Sequence, residues 1–532
     1  MRRTRATAAL ALLLTGCSPA TTAPSASSPG LVVITAGGTA LVDGQSDVPP
    51  TLDLRISTSQ QLSAGSVHAT LDDRPLALTA AQGGLTATVP AMPLGSAHAL
   101  SLDVPGRGAQ RLQFHVVPPA GAQAAVHSDS RDGTVLDVAF QFAPDRPAVE
   151  AALPSGGAPA WPDDRHLRAS WPSTSPSAFA LDASLTTARG SHLAGPLHIA
   201  LDPPPASTVR RTTVPAAPAA PKAPLVVAFT VGTAASRASL AAHADRISMA
   251  SPTGLHIAAD GSVTGEPGAP AVTAAAAHAL PVWPLIQNDA SDSAGIARIL
   301  EDGAASQRLV STAVDAAKAG GFPGLHLDVE GVPEADRDHL SALVGSLAGA
   351  LHGTGRKLAV AVVPHKPGHL NVYSAAYDLK AISGSADLVT LMAYDEHTSL
   401  TGPGAVAGYT WDQQLLAGSL AEVRSTSTSL LGLPLYARSW RGTDVTADSY
   451  AASVSQALAS PGARVDYDFA AATPYIHQGD DPTSTTWFDD AQSLAQKLSL
   501  VDTLELHGIA LWRLGFEDPA LWTVLPQNPP RP

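Results

Sequence analysis

The rhythm of apolar and polar positions changes along this chain. Between residues 31 and 119 short runs alternate apolar with polar, as in "TLDLRIST", "LTATVPA", "HALSLDVPG" and "RLQFHVV", with Gly-, Pro- and Asp-rich turns between them. Period-two alternation at this spacing predicts a small β-sandwich. A second set over 120–203, with "TVLDVAFQF", "HLRASWP" and "AFALDASL", predicts a second, Ig-like β module. Modules of this kind serve as spacers or as binding units, and the pattern leaves both open. Residues 204–223, "PPASTVRRTTVPAAPAAPKA", read as an extended Pro-rich linker. From 224 to 532 the rhythm is different. "LVVAFTVG", "LPVWPLIQN", "GLHLDVEG", "KLAVAVVP", "ADLVTLMAYD", "SLLGLPLYA" and "GIALWRLG" are near-continuous apolar runs, as strands buried on both faces require. Helical stretches lie between them. In "EADRDHLSALVGSLAGALHG", Leu340, Leu343, Val344, Leu347 and Leu351 recur at helical spacing, and Gly353 is a stop. This alternation predicts an α/β fold, a TIM (β/α)8 barrel, with a doubly wound open sheet as the structural alternative.

Composition narrows the picture. A chain of 532 residues exceeds one ordinary domain. Its 45% hydrophobic and 15% charged residues are compatible with large packed cores. With 32 Lys and Arg against 46 Asp and Glu, the net charge of -14 argues against a nucleic-acid partner. The start, "MRRTRATAALALLLTGCSPA", places three arginines before an apolar run from Ala6 to Leu14 that is too short to span a bilayer. Leu14-Thr15-Gly16-Cys17 resembles a bacterial lipobox, a signal whose cysteine is lipidated and cut just before; an ordinary secretory signal is the alternative. The expectation is a lipoprotein signal peptide over 1–17, lipidation at Cys17 and a disordered tether over 18–30. Cys17 is the one cysteine of the chain, so no disulfide is expected. The protein is expected to be exported, monomeric and lipid-anchored to the cell membrane, facing the cell wall or periplasm.

The chemistry concentrates in "GFPGLHLDVEG", residues 321–331. On a strand, His326, Asp328 and Glu330 share one face, while Leu325, Leu327 and Val329 share the other. In a barrel the polar row points inward and Glu330 reaches the mouth where barrel active sites lie. Taken alone, the alternation equally fits a half-exposed strand with a solvated face. It also opens like the H-x-D of a non-haem iron site, although such sites favour a different fold.

The company this stretch keeps is more specific. It resembles the strand-four signature D-x-x-D-x-D-x-E of glycoside hydrolase family 18. Then come "DLVTLMAYDEH" (387–397), similar to the family's M-x-Y-D strand, and "LLGLPLYARSW" (430–440), similar to its G-x-P-x-Y-G-x-x-W strand. "GIALWRLGFEDPALW" (508–522) resembles the last strand, and "TTWFDDAQSLAQKLSLV" resembles the spore-cortex and cell-wall subgroup. The resemblance spans roughly Pro224 to Leu525. It implies substrate-assisted hydrolysis of β-linked N-acetylglucosamine polymers, peptidoglycan or chitin-like, with no cofactor and no metal. In that scheme Glu330 is the general acid and then the base. Asp328 orients the acetamide, Tyr394 donates to its oxygen, and Trp512 is the floor beneath the sugar. Asp395, Met392, Tyr436 and His326 complete the substrate-binding set. The chain departs from the signature at Pro323 and His326, where the family has Asp. A histidine at 326 is expected to donate to Asp328 and, if charged, to lower its pKa. The alternatives are a carbohydrate-binding protein on the same barrel, or a surface scaffold.

Overall fold

Uninterrupted apolar runs form the parallel strands of a closed barrel. Eight strands follow in chain order: β1 Leu225–Thr230, β2 Met249–Pro252, β3 Leu285–Gln287, β4 Gly324–Asp328, β5 Lys357–Val362, β6 Leu388–Leu391, β7 Ser429–Pro434 and β8 Gly508–Trp512. Parallel ladders join β3 through β7 in sequence, β8 lies between β7 and β1, and β1 pairs with β2. A bridge between Ala250 and Val282 brings the β2 and β3 segments together. Closure leaves no sheet edge, which separates a barrel from an open doubly wound sheet.

Strand periodicity divides the core in two. In β1, Val226 and Ala228 join an outer cluster under the helices, whereas Leu225, Val227 and Phe229 join an inner one. In β4, Leu325 and Leu327 are outer, so His326 and Asp328 point into the barrel. The helix Arg337–His352 buries the five apolar residues that its spacing predicted and ends before Gly353.

The computed structural model describes residues 33–36, 39–57, 63–105, 108–129, 131–172, 176–205, 207–214, 223–479 and 481–532. Cys17, the leader and the tether lie outside the described residues. The chain divides into two units, 1–118 and 119–532. The first holds two five-stranded sheets; Leu54 and Ile56 in one, and Leu100, Leu102 and Val104 in the other, are buried at alternate positions.

In the second unit a five-stranded antiparallel sheet precedes the barrel, with Gly133–Phe140 at its centre. One of its strands is Arg210–Val214, which pairs with Ala122–Val126. This corrects the reading of 204–223 as linker throughout. Val214 packs in the core of this sheet, and the Arg211 guanidinium forms two bonds to Asp490 of the barrel segment, at 2.7 and 2.5 Å. A further sheet, absent from the sequence reading, is inserted between β7 and β8. It has five antiparallel strands from Tyr436 to Trp487 and a helix, Tyr450–Leu458. Arg168 donates to the Ala463 carbonyl (2.7 Å) and Asp137 accepts from the Val465 N–H (2.9 Å), joining this insert to the preceding sheet.

Candidate active site

The C-terminal ends of the barrel strands converge on a cavity of about 160 Å³. β4 delivers Asp328 and, just beyond the strand, Glu330; β6 leads to Met392, Tyr394 and Asp395. Tyr436 follows β7, Trp512 ends β8, and Phe229 enters from β1. Trp512 lies edge-on to Phe229, with ring centroids 5.3 Å apart. Asp328 is 6% exposed, whereas Glu330 is half-buried at the junction with a second cleft of about 620 Å³. Loops 363–374 and 395–401 flank that cleft, and Leu370, Val372, Tyr373 and Leu400 stand exposed on them.

Local backbone geometry fixes these positions. Gly331 follows Glu330 at φ +69°, a left-handed turn where a Cβ would meet the Ala290 carbonyl oxygen at 2.4 Å. The Tyr377 hydroxyl donates to the Val329 carbonyl at 2.9 Å. Asn288 grips Glu330 at both backbone groups: its Nδ2 donates to the carbonyl at 2.8 Å, and its Oδ1 accepts the N–H at 2.9 Å. Gly432 in β7 permits the close approach of β6, since a Cβ there would lie 2.6 Å from the Leu391 carbonyl and 3.2 Å from the Tyr394 ring. Asp395 adopts φ +67° and accepts hydrogen bonds from the Tyr436 hydroxyl and, at 2.8 Å, from Arg438 Nη2.

Burial dominates the electrostatics. It raises Asp328 to about 6, against a hydrogen bond from Gln287 Nε2 (3.0 Å) that favours the ionised form. Glu330 is raised to about 7, first by burial and then by the charges of Asp328 and Asp395. Burial also pushes the Tyr394 hydroxyl well above its usual range, so it stays a donor. Asp328 Oδ1 is buried without a partner.

His326 differs from expectation. It lies below the cavity, fully buried, against Phe229 with ring centroids 5.0 Å apart. Its ring nitrogens stand 3.4 Å from Ser251 Oγ and 3.3 Å from Thr390 Oγ1. Burial lowers its pKa to about 3, so it is neutral and holds no bond to Asp328. It lines neither cavity, which corrects its place in the substrate-binding set. The other proposed residues, Glu330, Asp328, Tyr394, Asp395, Met392, Tyr436 and Trp512, all reach the smaller cavity. The sequence reading missed Gln287, Asn288, Tyr377 and Arg438. A faint signal existed for two of them. Gln287 and Asn288 end the apolar run "LPVWPLIQN" at the barrel mouth, where polar residues are candidates for function.

Residues 271–517 match the family described as Glycosyl hydrolases family 18. The cortical fragment-lytic enzyme of Bacillus subtilis is 27% identical over 235 residues, covering 43% of this chain and 54% of that protein. A class V chitinase of Arabidopsis thaliana is 28% identical over 263 residues, 43% of this chain and 67% of that protein. The crystal structure of a chitinase from Chromobacterium violaceum superposes with a TM-score of 0.53 at 29% identity, covering 57% of this chain and 98% of that chain. The chain spans about half the length of the first curated relatives it matches. Residues 271–517 are thus similar to family 18 glycoside hydrolases, among them chitinases and a cortical fragment-lytic enzyme.

Proposed function

We propose that this chain hydrolyses β-linked N-acetylglucosamine polymers, peptidoglycan or chitin-like, by a substrate-assisted mechanism that retains the anomeric configuration. One observation carries this reading. Asp328 Oδ1 is a buried acceptor without a partner, and it lines the same cavity as the Tyr394 hydroxyl, a donor, with Trp512 at its border. An acceptor and a donor so placed suit the N–H and C=O of one acetamide.

The acetamide oxygen attacks the anomeric carbon while Glu330, protonated, passes its proton to the leaving oxygen. Asp328, ionised, accepts the acetamide N–H and stabilises the positive oxazolinium. Tyr394 orients the attacking oxygen. Glu330, now a carboxylate, takes a proton from water, which opens the oxazolinium and restores the acetamide. Trp512 supports the sugar ring with Met392 beside it, and Asp395 contacts the sugar while Tyr436 and Arg438 hold its carboxylate. The larger cleft, which contains Glu330 but neither Asp328 nor Trp512, takes the leaving-group side of the polymer. Export with lipidation at Cys17, and Ig-like modules before the barrel, belong to the same reading and rest on sequence alone.

Turnover of a chromogenic N-acetylglucosamine oligomer, with the β-anomer as first product by NMR, tests it. Glu330→Gln is expected to lower kcat by about 10²–10⁴-fold. Oligomer binding without turnover by the unaltered protein would assign it instead to carbohydrate binding.

A further inference from the structure

Gln287, the last residue of β3, and Asn288 after it each contact one acidic residue of the site, the first at the Asp328 carboxylate and the second at the Glu330 backbone. Gln287 lies directly across from Asp328 in the β3–β4 ladder, and its Nε2 donates to Asp328 Oδ2 at 3.0 Å. Asn288 next to it bonds both backbone groups of Glu330. One strand end therefore sets the spacing of the pair. The residue two positions before Asp328 on the same inward row is His326, and its ring nitrogens face Ser251 and Thr390 instead. Of the side chains around Asp328, the Gln287 amide is the one that hydrogen-bonds its carboxylate among the described residues.

We propose that Gln287 is the positioning residue for Asp328, fixing Oδ2 so that Oδ1 is presented to the acetamide N–H, in place of a second carboxylate at 326. The proposal rests on the hydrolysis reading above. A neighbouring carboxylate would share a proton with Asp328 and rotate as that proton moves. An amide does not titrate, and its N–H donates whatever the pH. It thereby favours the ionised carboxylate and holds one orientation through the catalytic cycle. Asn288 acts in parallel on Glu330, through the backbone.

The test uses the full chain with Gln287→Met, which keeps volume and removes the donor, and Gln287→Glu, which sets a second carboxylate against Asp328. Loss of a hydrogen bond to a charged group is expected to move the acid limb of the pH–kcat profile to higher pH by about one unit. It is also expected to lower kcat about tenfold, with KM within about twofold of the unaltered protein. Gln287→Glu should move the acid limb further in the same direction. An acid limb that stays in place in Gln287→Met overturns the proposal, whether or not the melting temperature falls, because a merely structural role would change stability alone. Titration of the Asp328 carboxyl by ¹³C NMR provides a readout independent of turnover. It should rise in Gln287→Met even if the chain cleaves nothing, so failure of the hydrolysis reading and failure of this one are distinguishable.

Discussion

The proposed mechanism needs Asp328 and Glu330 in opposite protonation states at the same moment, yet burial raises both pKa values, and the charges of Asp328 and Asp395 raise Glu330 further. Asp328 is ionised above about 6 and Glu330 keeps its proton below about 7. Activity is therefore expected to follow a narrow bell between those values, losing its acid limb as Asp328 takes a proton and its alkaline limb as Glu330 loses one. A pH–rate profile checks both limbs. His326→Asn is expected to leave the acid limb where it is, because the ring is neutral and bonded elsewhere. A moved limb would mean that the histidine acts on Asp328 after all. Stability carries the same signature. The folded pKa of Glu330 lies above its unfolded value, so its contribution is full below the ordinary carboxylate range and is lost as pH rises through about 7. Glu330→Gln, which removes a buried charge without changing shape, should therefore raise the melting temperature at pH 8 and leave it nearly unchanged at pH 4, as calorimetry can show. The inward row of His326, Asp328 and Glu330 was legible in the sequence because strand geometry alternates side chains. The state of His326 was not, since it depends on Phe229, Ser251 and Thr390 from three other strands.

Among elements, the helix Ala491–Thr503 shows how local and distant terms combine. Asp490 caps it, accepting from the Gln492 and Ser493 N–H groups, and the Ser493 hydroxyl closes a capping box. That much lies within four residues of sequence. The charge of the buried cap is balanced from outside the barrel, by Arg211. Burial alone would raise the Asp490 pKa, but the Arg211 guanidinium overrides it and holds the carboxyl below its usual range. Arg211→Met would leave this carboxylate buried without its cation, costing about 3–5 kcal/mol at neutral pH by urea unfolding. Because the folded pKa is depressed, the stabilisation exists above the ordinary carboxylate range and fades as pH falls. The difference between the two proteins should therefore shrink in acid. "RRTTV" was unreadable as a strand because prolines flank it on both sides and its partner lies about 90 residues upstream. Once paired, the strand carries Arg211 to its place.

At the scale of the molecule, the sheet region from 119 onward and the barrel cluster as one unit. Polar contacts such as Arg168 with Ala463 and Asp137 with Val465 join the sheet to the insert, and Ala125 and Ala139 of the sheet pack into apolar clusters with it. Attachment to a membrane is a separate matter that rests on the leader. Among the described residues no helix is long and apolar enough to cross a membrane. If Cys17 is lipidated, Cys17→Ser should move the protein from the membrane pellet to the soluble fraction and abolish incorporation of labelled fatty acid. A pellet unchanged by Cys17→Ser would remove the anchor from the proposal. The sequence by itself determined the strand and helix periods of the barrel and the inward row of β4. It also determined the order in which the motif strands arrive, because those follow from covalent geometry and the apolar pattern of each segment. Only the tertiary structure decided that Gln287 and not His326 holds Asp328, that Asn288 grips Glu330, and that Arg211 balances Asp490. Burial and hydrogen-bond partners come from residues far apart in the chain, and no local pattern encodes how much water is excluded where they meet.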